Sequence, residues 1–348
     1  MSNKRSRSRG NPARRRPGNP ARQGQPTSQS TTRGTKSGKA KQPGALDAYA
    51  SIEQTPPSGV FYSQVLRTAD HVWWRSLLGI LMALSLYMLL ASVVSQAIVM
   101  LSWTITSPGV GYADYSKQAT AFEIPSGMLA QNLGIALLTP IAFVAIMIVH
   151  HVRPRWLGSV QPRLRWKFVW ISLGIAAVSF AAVHLTSIVA GSGTQVRPQS
   201  HFWLFVIVIV LTSPLQAIGE EYLFRGYLLQ AFGSLVKNPW FGVIASSLVF
   251  ALFHGTQNLP LFIDRFAFGL LAAMLVMRTG GIEAGIGAHV INNLYAWVLA
   301  GLTSSIAQSR GLQEIGWVSA AVDVGGFALF AVLAYLAGRK LKLRTLTP

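Results

Sequence analysis

Three short groups of residues place ionisable or strongly polar side chains inside otherwise apolar stretches. They are Glu220, Glu221 and Arg225; then His254; then His289 and Asn293. Burying such groups in an apolar environment costs several kcal/mol unless they are paired or hydrated, so each marks a site where chemistry is expected. Glu220 and Glu221 are neighbours, which on a helix points them about 100° apart and gives them separate tasks. Glu221 and Arg225 are four apart in the favourable Glu-before-Arg order for a helical ion pair. Glu220 is then left to face another direction, with Phe224 and Tyr227 on its stripe. His254 closes Phe250-Ala-Leu-Phe-His254 and is followed by a polar loop, Thr256-Gln257-Asn258. His289 lies within an apolar segment with Asn293 one turn further along the same face, while Asn292 turns away.

A carboxylate, two imidazoles and an amide support two routes to hydrolysis of an acyl bond. Glu220, His254 and His289 could hold a metal, Zn2+ being the usual one, with an open position for water. The same groups could instead activate water without a metal, a carboxylate acting as base, an imidazole as its partner and an Asn amide meeting the developing oxyanion. The chain lacks an HExxH helix, which argues against an ordinary soluble-type zinc protease. It also has no cysteine, hence no thiolate nucleophile and no disulfide.

The elements that must carry these groups are membrane helices. Of 348 residues, 51% are hydrophobic and 12% charged, against about 25% charged in soluble domains. Apolar stretches recur at about 77–103, 128–150, 168–190, 202–220, 240–254, 260–278, 282–302 and 317–337, each near the length that crosses a bilayer. The expected fold is therefore all-α and polytopic, with about eight transmembrane helices and a cavity between them. The net charge of +19 is concentrated at the start, where twelve Lys and Arg precede position 46 without one acid. Residues 1–60 read as a disordered basic tail and 70–340 as one membrane domain. The tail suits anionic lipid headgroups. Nucleic acid is a poorer partner, since no aromatic or folded recognition element accompanies the charge. Arg153, Arg155, Arg163, Arg165 and Lys167, with the run from Arg339 to Arg344, fall on the tail's side of the membrane, so the positive-inside rule places both termini in the cytosol.

In order and spacing, Glu220-Glu221-Tyr-Leu-Phe-Arg225, Phe250-Ala-Leu-Phe-His254 and His289-Val-Ile-Asn-Asn293 resemble the EExxxR, FxxxH and HxxxN motifs of the CAAX protease and bacteriocin-processing (CPBP or Abi) family. The likeness covers roughly residues 200–300. It implies an intramembrane endopeptidase related to the type II CAAX prenyl endopeptidase, acting on a membrane-associated or C-terminal peptide substrate. By this resemblance Glu220 is the base for the hydrolytic water, assisted by His254. His289 and Asn293 stabilise the oxyanion, and Glu221 with Arg225 holds the geometry. Members are described as metalloproteases, and a metal-free glutamate mechanism has also been put forward. The style of tail and body suggests a bacterial plasma membrane, which argues against prenylated substrates. The rival readings are a non-proteolytic immunity or scaffold protein of the same fold, and a proton-coupled transporter. The transporter would need an inverted repeat, and no second copy of these motifs is present.

Overall fold

The computed structural model describes residues 53–106, 108–189 and 195–348. Among them the chain is helical, with only isolated bridges such as Phe61 to Leu346 in place of strands. We number the helices α1 (Trp73–Thr106), α2 (Tyr112–Thr120), α3 (Pro125–Ala136), α4 (Leu138–His150), α5 (Trp166–Val189), α6 (Phe202–Glu220), α7 (Leu229–Leu235), α8 (Phe241–Leu252), α9 (Leu259–Thr279), α10 (Glu283–Thr303), α11 (Ile306–Arg310) and α12 (Trp317–Lys340). A π-helical segment, Glu221–Leu228, joins α6 to α7.

All eight expected apolar stretches are helical. Six runs are long and apolar enough to cross a membrane: α1, α3 with α4, α5, α6 through α7, α9 and α12. Two of the eight differ. Helix α8 has only 12 residues. Helix α10 is long enough at 21 residues, but Glu283, His289, Asn292 and Asn293 keep it below the necessary apolarity. It is an enclosed helix, packed against α5, α6 and α9, and its residues from Glu283 to Val290 are buried without a break. The outward faces of the spans are rich in exposed Leu, Val and Ile, and Trp73, Trp166, Trp203 and Trp317 stand exposed at the starts of four of them. Such a surface suits lipid, with Trp at the interfacial belt.

Local chemistry sets the joints. Asn258 caps α9, its Oδ1 accepting from the Leu261 N–H at 3.2 Å, and Gly280 ends that helix at φ 76°, a left-handed conformation that costs glycine nothing. Between α3 and α6, Asn132 donates to Thr212 Oγ1 at 2.9 Å, an interhelical hydrogen bond of the kind that joins membrane helices. Gly219 brings α6 so close to α3 that a Cβ there would sit 2.9 Å from the Ile135 carbonyl oxygen.

The tail expected to end at residue 60 ends earlier. Residues 1–52 lie outside the described residues, but from Glu53 the chain is already packed. Glu53 pairs with Arg153 at 2.5 Å, the Gln54 N–H donates to His151 O at 2.8 Å, and the buried Tyr62 hydroxyl donates to Leu157 O at 2.5 Å. The body also continues past the expected limit at 340. Gly59 N–H donates to Thr347 O at 3.1 Å and Thr347 N–H to Val60 O at 3.0 Å. This clasp ties the stretch around Val60 to Thr347.

Candidate active site

Glu220 is the last residue of α6, and Glu221 begins the π-helical segment. Hydrogen bonds in a π-turn span five residues instead of four, which widens the helix, and such turns recur at functional sites. Opposite them, α10 presents His289, which is 4% exposed. Its Nδ1 lies 2.8 Å from Glu221 Oε1 and its Nε2 lies 3.2 Å from Glu220 Oε2. The two adjacent carboxylates, which sequence reasoning assigned to separate tasks, thus meet on opposite nitrogens of one imidazole. Both ring nitrogens face carboxylate oxygens, so this geometry accommodates a ring that donates from each.

Glu221 is fully buried and pairs with Arg225 at 2.9 Å, as the spacing predicts. The guanidinium is 1% exposed and sits 3.9 Å from the centre of the Phe250 ring, with Phe268 at 5.2 Å. A cation over an aromatic face is stabilised by the ring quadrupole, by about 2 kcal/mol where water is excluded. Phe250, which the sequence reading used only as a motif letter, is therefore the platform for this charge. Room for Glu221 comes from Gly285 on α10, since a Cβ at that position would collide with Glu221 Oε2.

Asn293 also faces α6, one turn beyond His289. Its Nδ2 donates to Gln216 Oε1 at 2.6 Å, and Gln216 Nε2 donates to Glu220 Oε1 at 2.7 Å. Gln216 was missed in the sequence. Its available signal was a polar amide in an apolar run, four residues before Glu220. Asn292 donates to Asn293 Oδ1 at 3.3 Å. At its start, α10 is anchored by Glu283. This residue is fully buried and accepts a fork from Arg165 at 2.7 and 2.6 Å.

His254 shares no hydrogen bond with this group. It follows α8, reaches the surface, and its Nδ1 donates to Phe250 O at 2.8 Å, which leaves Nε2 as its outward nitrogen. The rings of His254 and Phe250 meet edge to face at 4.7 Å. Among the described residues, no three His, Asp or Glu side chains converge to hold a metal ion. Glu220 and His289 approach each other, but His254 does not complete the set. The three donors as placed do not fit a three-ligand metal.

Comparison with known proteins places this geometry. Residues 199–295 match a family model described as type II CAAX prenyl endopeptidase Rce1-like. This stretch contains every residue of the three motifs. Beyond it, the chain is 26% identical over 238 residues to the uncharacterized protein YyaK of Bacillus subtilis (strain 168), covering 65% of this chain and 77% of that relative. It is 33% identical over 89 residues to an uncharacterized 24.3 kDa protein of Escherichia coli, covering 25% of this chain and 40% of the relative. No solved structure matches significantly. The matched segment begins just before α6 and ends within α10, so it includes the two helices that carry the carboxylates, His289 and Asn293.

Proposed function

We propose that this protein is an intramembrane endopeptidase that hydrolyses a peptide bond of a membrane-associated or C-terminal peptide substrate. The observation that carries the reading is the burial of Glu221, Arg225 and His289 beside the half-buried Glu220, paired through His289 and Glu221 within the segment that matches the Rce1-like model. A purely structural bundle gains little from four such groups, because replacing buried ion pairs by apolar residues is often neutral or stabilising.

In this reading Glu220 takes a proton from water as the water oxygen bonds to the peptide carbonyl carbon. The outward Nε2 of His254 orients that water. The carbonyl π electrons move to oxygen, and the negative charge is met by the second N–H of Asn293 and, once Glu220 has taken the proton and loosens its hold on Nε2, by the Nε2–H of His289. Collapse of the tetrahedral intermediate breaks the C–N bond, and the leaving amine receives the proton held on Glu220. Glu221 and Arg225 keep His289 in place. Both relatives are bacterial, which supports a bacterial plasma membrane. The Lys and Arg distribution supports cytosolic termini, with the basic tail near anionic headgroups.

The test is a survey of new protein termini in membranes from cells carrying the chain or its Glu220→Gln variant, expressed at equal levels. Termini that vanish with Glu220→Gln are expected, and they would name the substrate and the cut. Identical termini in both strains, with the variant still functional, would leave the immunity or scaffold role in place of proteolysis.

A further inference from the structure

Gln216 belongs to none of the three motifs, yet it joins both halves of the site. Helices α6 and α10 meet through two rungs one turn apart. In one, Glu220 faces His289 at 3.2 Å; in the other, Gln216 accepts from Asn293 at 2.6 Å. Along α6, Gln216 then donates to Glu220 Oε1 at 2.7 Å. We propose that Gln216 is a positioning residue of the hydrolytic site, locking the Glu220 carboxylate and the Asn293 amide into one hydrogen-bonded unit. This inference rests on the proteolytic reading above.

Donor and acceptor arithmetic gives the lock a direction. An amide donates through nitrogen and accepts through oxygen, whereas an ionised carboxylate only accepts. The chain Asn292 to Asn293 to Gln216 to Glu220 therefore runs with every N–H directed toward the carboxylate. Two consequences follow for the reaction. Glu220 Oε1 accepts from Gln216 and Oε2 faces His289 Nε2, so both oxygens are held in place and the proton from water goes to a lone pair that neither partner uses. Asn293 spends one N–H on Gln216 and keeps the other for the substrate oxygen. Because Gln216 is 8% exposed, bulk water has little access to substitute for its amide.

The test uses the full chain in detergent and a quenched fluorescent peptide spanning a cut that depends on Glu220. Gln216→Met preserves length and volume but removes both hydrogen bonds. Gln216→Glu preserves shape but cannot donate to an ionised neighbour. For each, kcat is expected to fall about 10²-fold, the scale of a misplaced reacting group, with KM little changed. Asn293→Ala added to Gln216→Met should cost less than the product of the two single effects, because both break the same unit. Thermal melts restrict the comparison to folded protein, and Gln216→Glu serves if Gln216→Met does not fold. Retention of kcat within about twofold in the folded variants, or strictly multiplicative effects in the cycle, would overturn the proposal. Glu220→Gln runs alongside. If it cleaves normally, the proteolytic reading fails and this inference with it. If it is inert while Gln216→Met is active, only the role of Gln216 falls.

Discussion

Removing Arg225 should damage this protein more than removing the whole ion pair to which it belongs. Glu221 is fully buried, and among the described residues the guanidinium of Arg225 is its one cationic side-chain partner apart from the ring of His289. Arg225→Met fills similar space and retains an apolar contact with Phe250, but leaves two buried carboxylates to share one imidazole. Breaking a buried pair from one side typically costs about 3–5 kcal/mol, because the surviving charge is neither solvated nor compensated. At about 2 °C per kcal/mol, the lower end for a chain of this size, the melting temperature should fall by about 6–10 °C. Adding Glu221→Gln removes the stranded charge, and the double variant should recover more than half of that loss while remaining impaired in cleavage. The assay is thermal unfolding of the four members of the cycle in one detergent, followed by tryptophan fluorescence. A single variant that melts within about 2 °C of the parent chain would refute the reasoning. So would a double variant as unstable as Arg225→Met, since the deficit would then lie in packing and not in uncompensated charge.

Gly285→Ala should slow cleavage by about 10²-fold, because its Cβ would displace the Glu221 carboxylate and, through it, His289; normal turnover in a folded Gly285→Ala protein would contradict this. Arg165→Lys should lower the melting temperature although it keeps the charge, since an ammonium cannot reproduce the fork on Glu283; an unchanged melt would show that the fork is dispensable. Prolonged dialysis against a zinc chelator should leave cleavage intact, with recovery on adding Zn2+ to an inactivated sample as the opposing result. Phe250→Leu should weaken the protein beyond the loss of apolar area, by up to about 2 kcal/mol, if the ring stabilises the Arg225 charge. The same thermal assay measures that difference.

What the sequence disclosed here was largely what the membrane makes expensive. Glu220, His289 and Asn293 stood out because charge and amide are conspicuous in apolar runs, and the four-residue spacing of Glu221 with Arg225 predicted a pair that the structure contains. The eight apolar stretches were legible for the same reason. The π-turn was not, because widening a helix by one residue leaves no compositional mark. The α-helical stripe drawn from Glu220 through Phe224 and Tyr227 consequently gave no hint that Glu220 and Glu221 converge on one ring. Gln216 escaped notice because a neutral amide looks affordable until its two partners are placed. Gly285 was invisible as well, since its value lies in a side chain from another helix. The packing of residues 53–60 was obscured by their resemblance to the preceding polar tail, and what holds them are contacts distant in sequence, with His151, Arg153 and Thr347.

The contact with Thr347 also sets a timetable. Val60 and Thr347 are 287 positions apart, and closing so long a loop in a free chain would cost about 5 kcal/mol in entropy. Two or three hydrogen bonds could not offset that alone. The intervening spans do it first, since once inserted they confine both ends to the same neighbourhood. During synthesis the stretch around Val60 must therefore wait, unclasped, until Thr347 has emerged. The clasp is a late event in assembly, and a nascent chain stalled before Thr347 would carry its helices with the stretch around Val60 still unheld at that point.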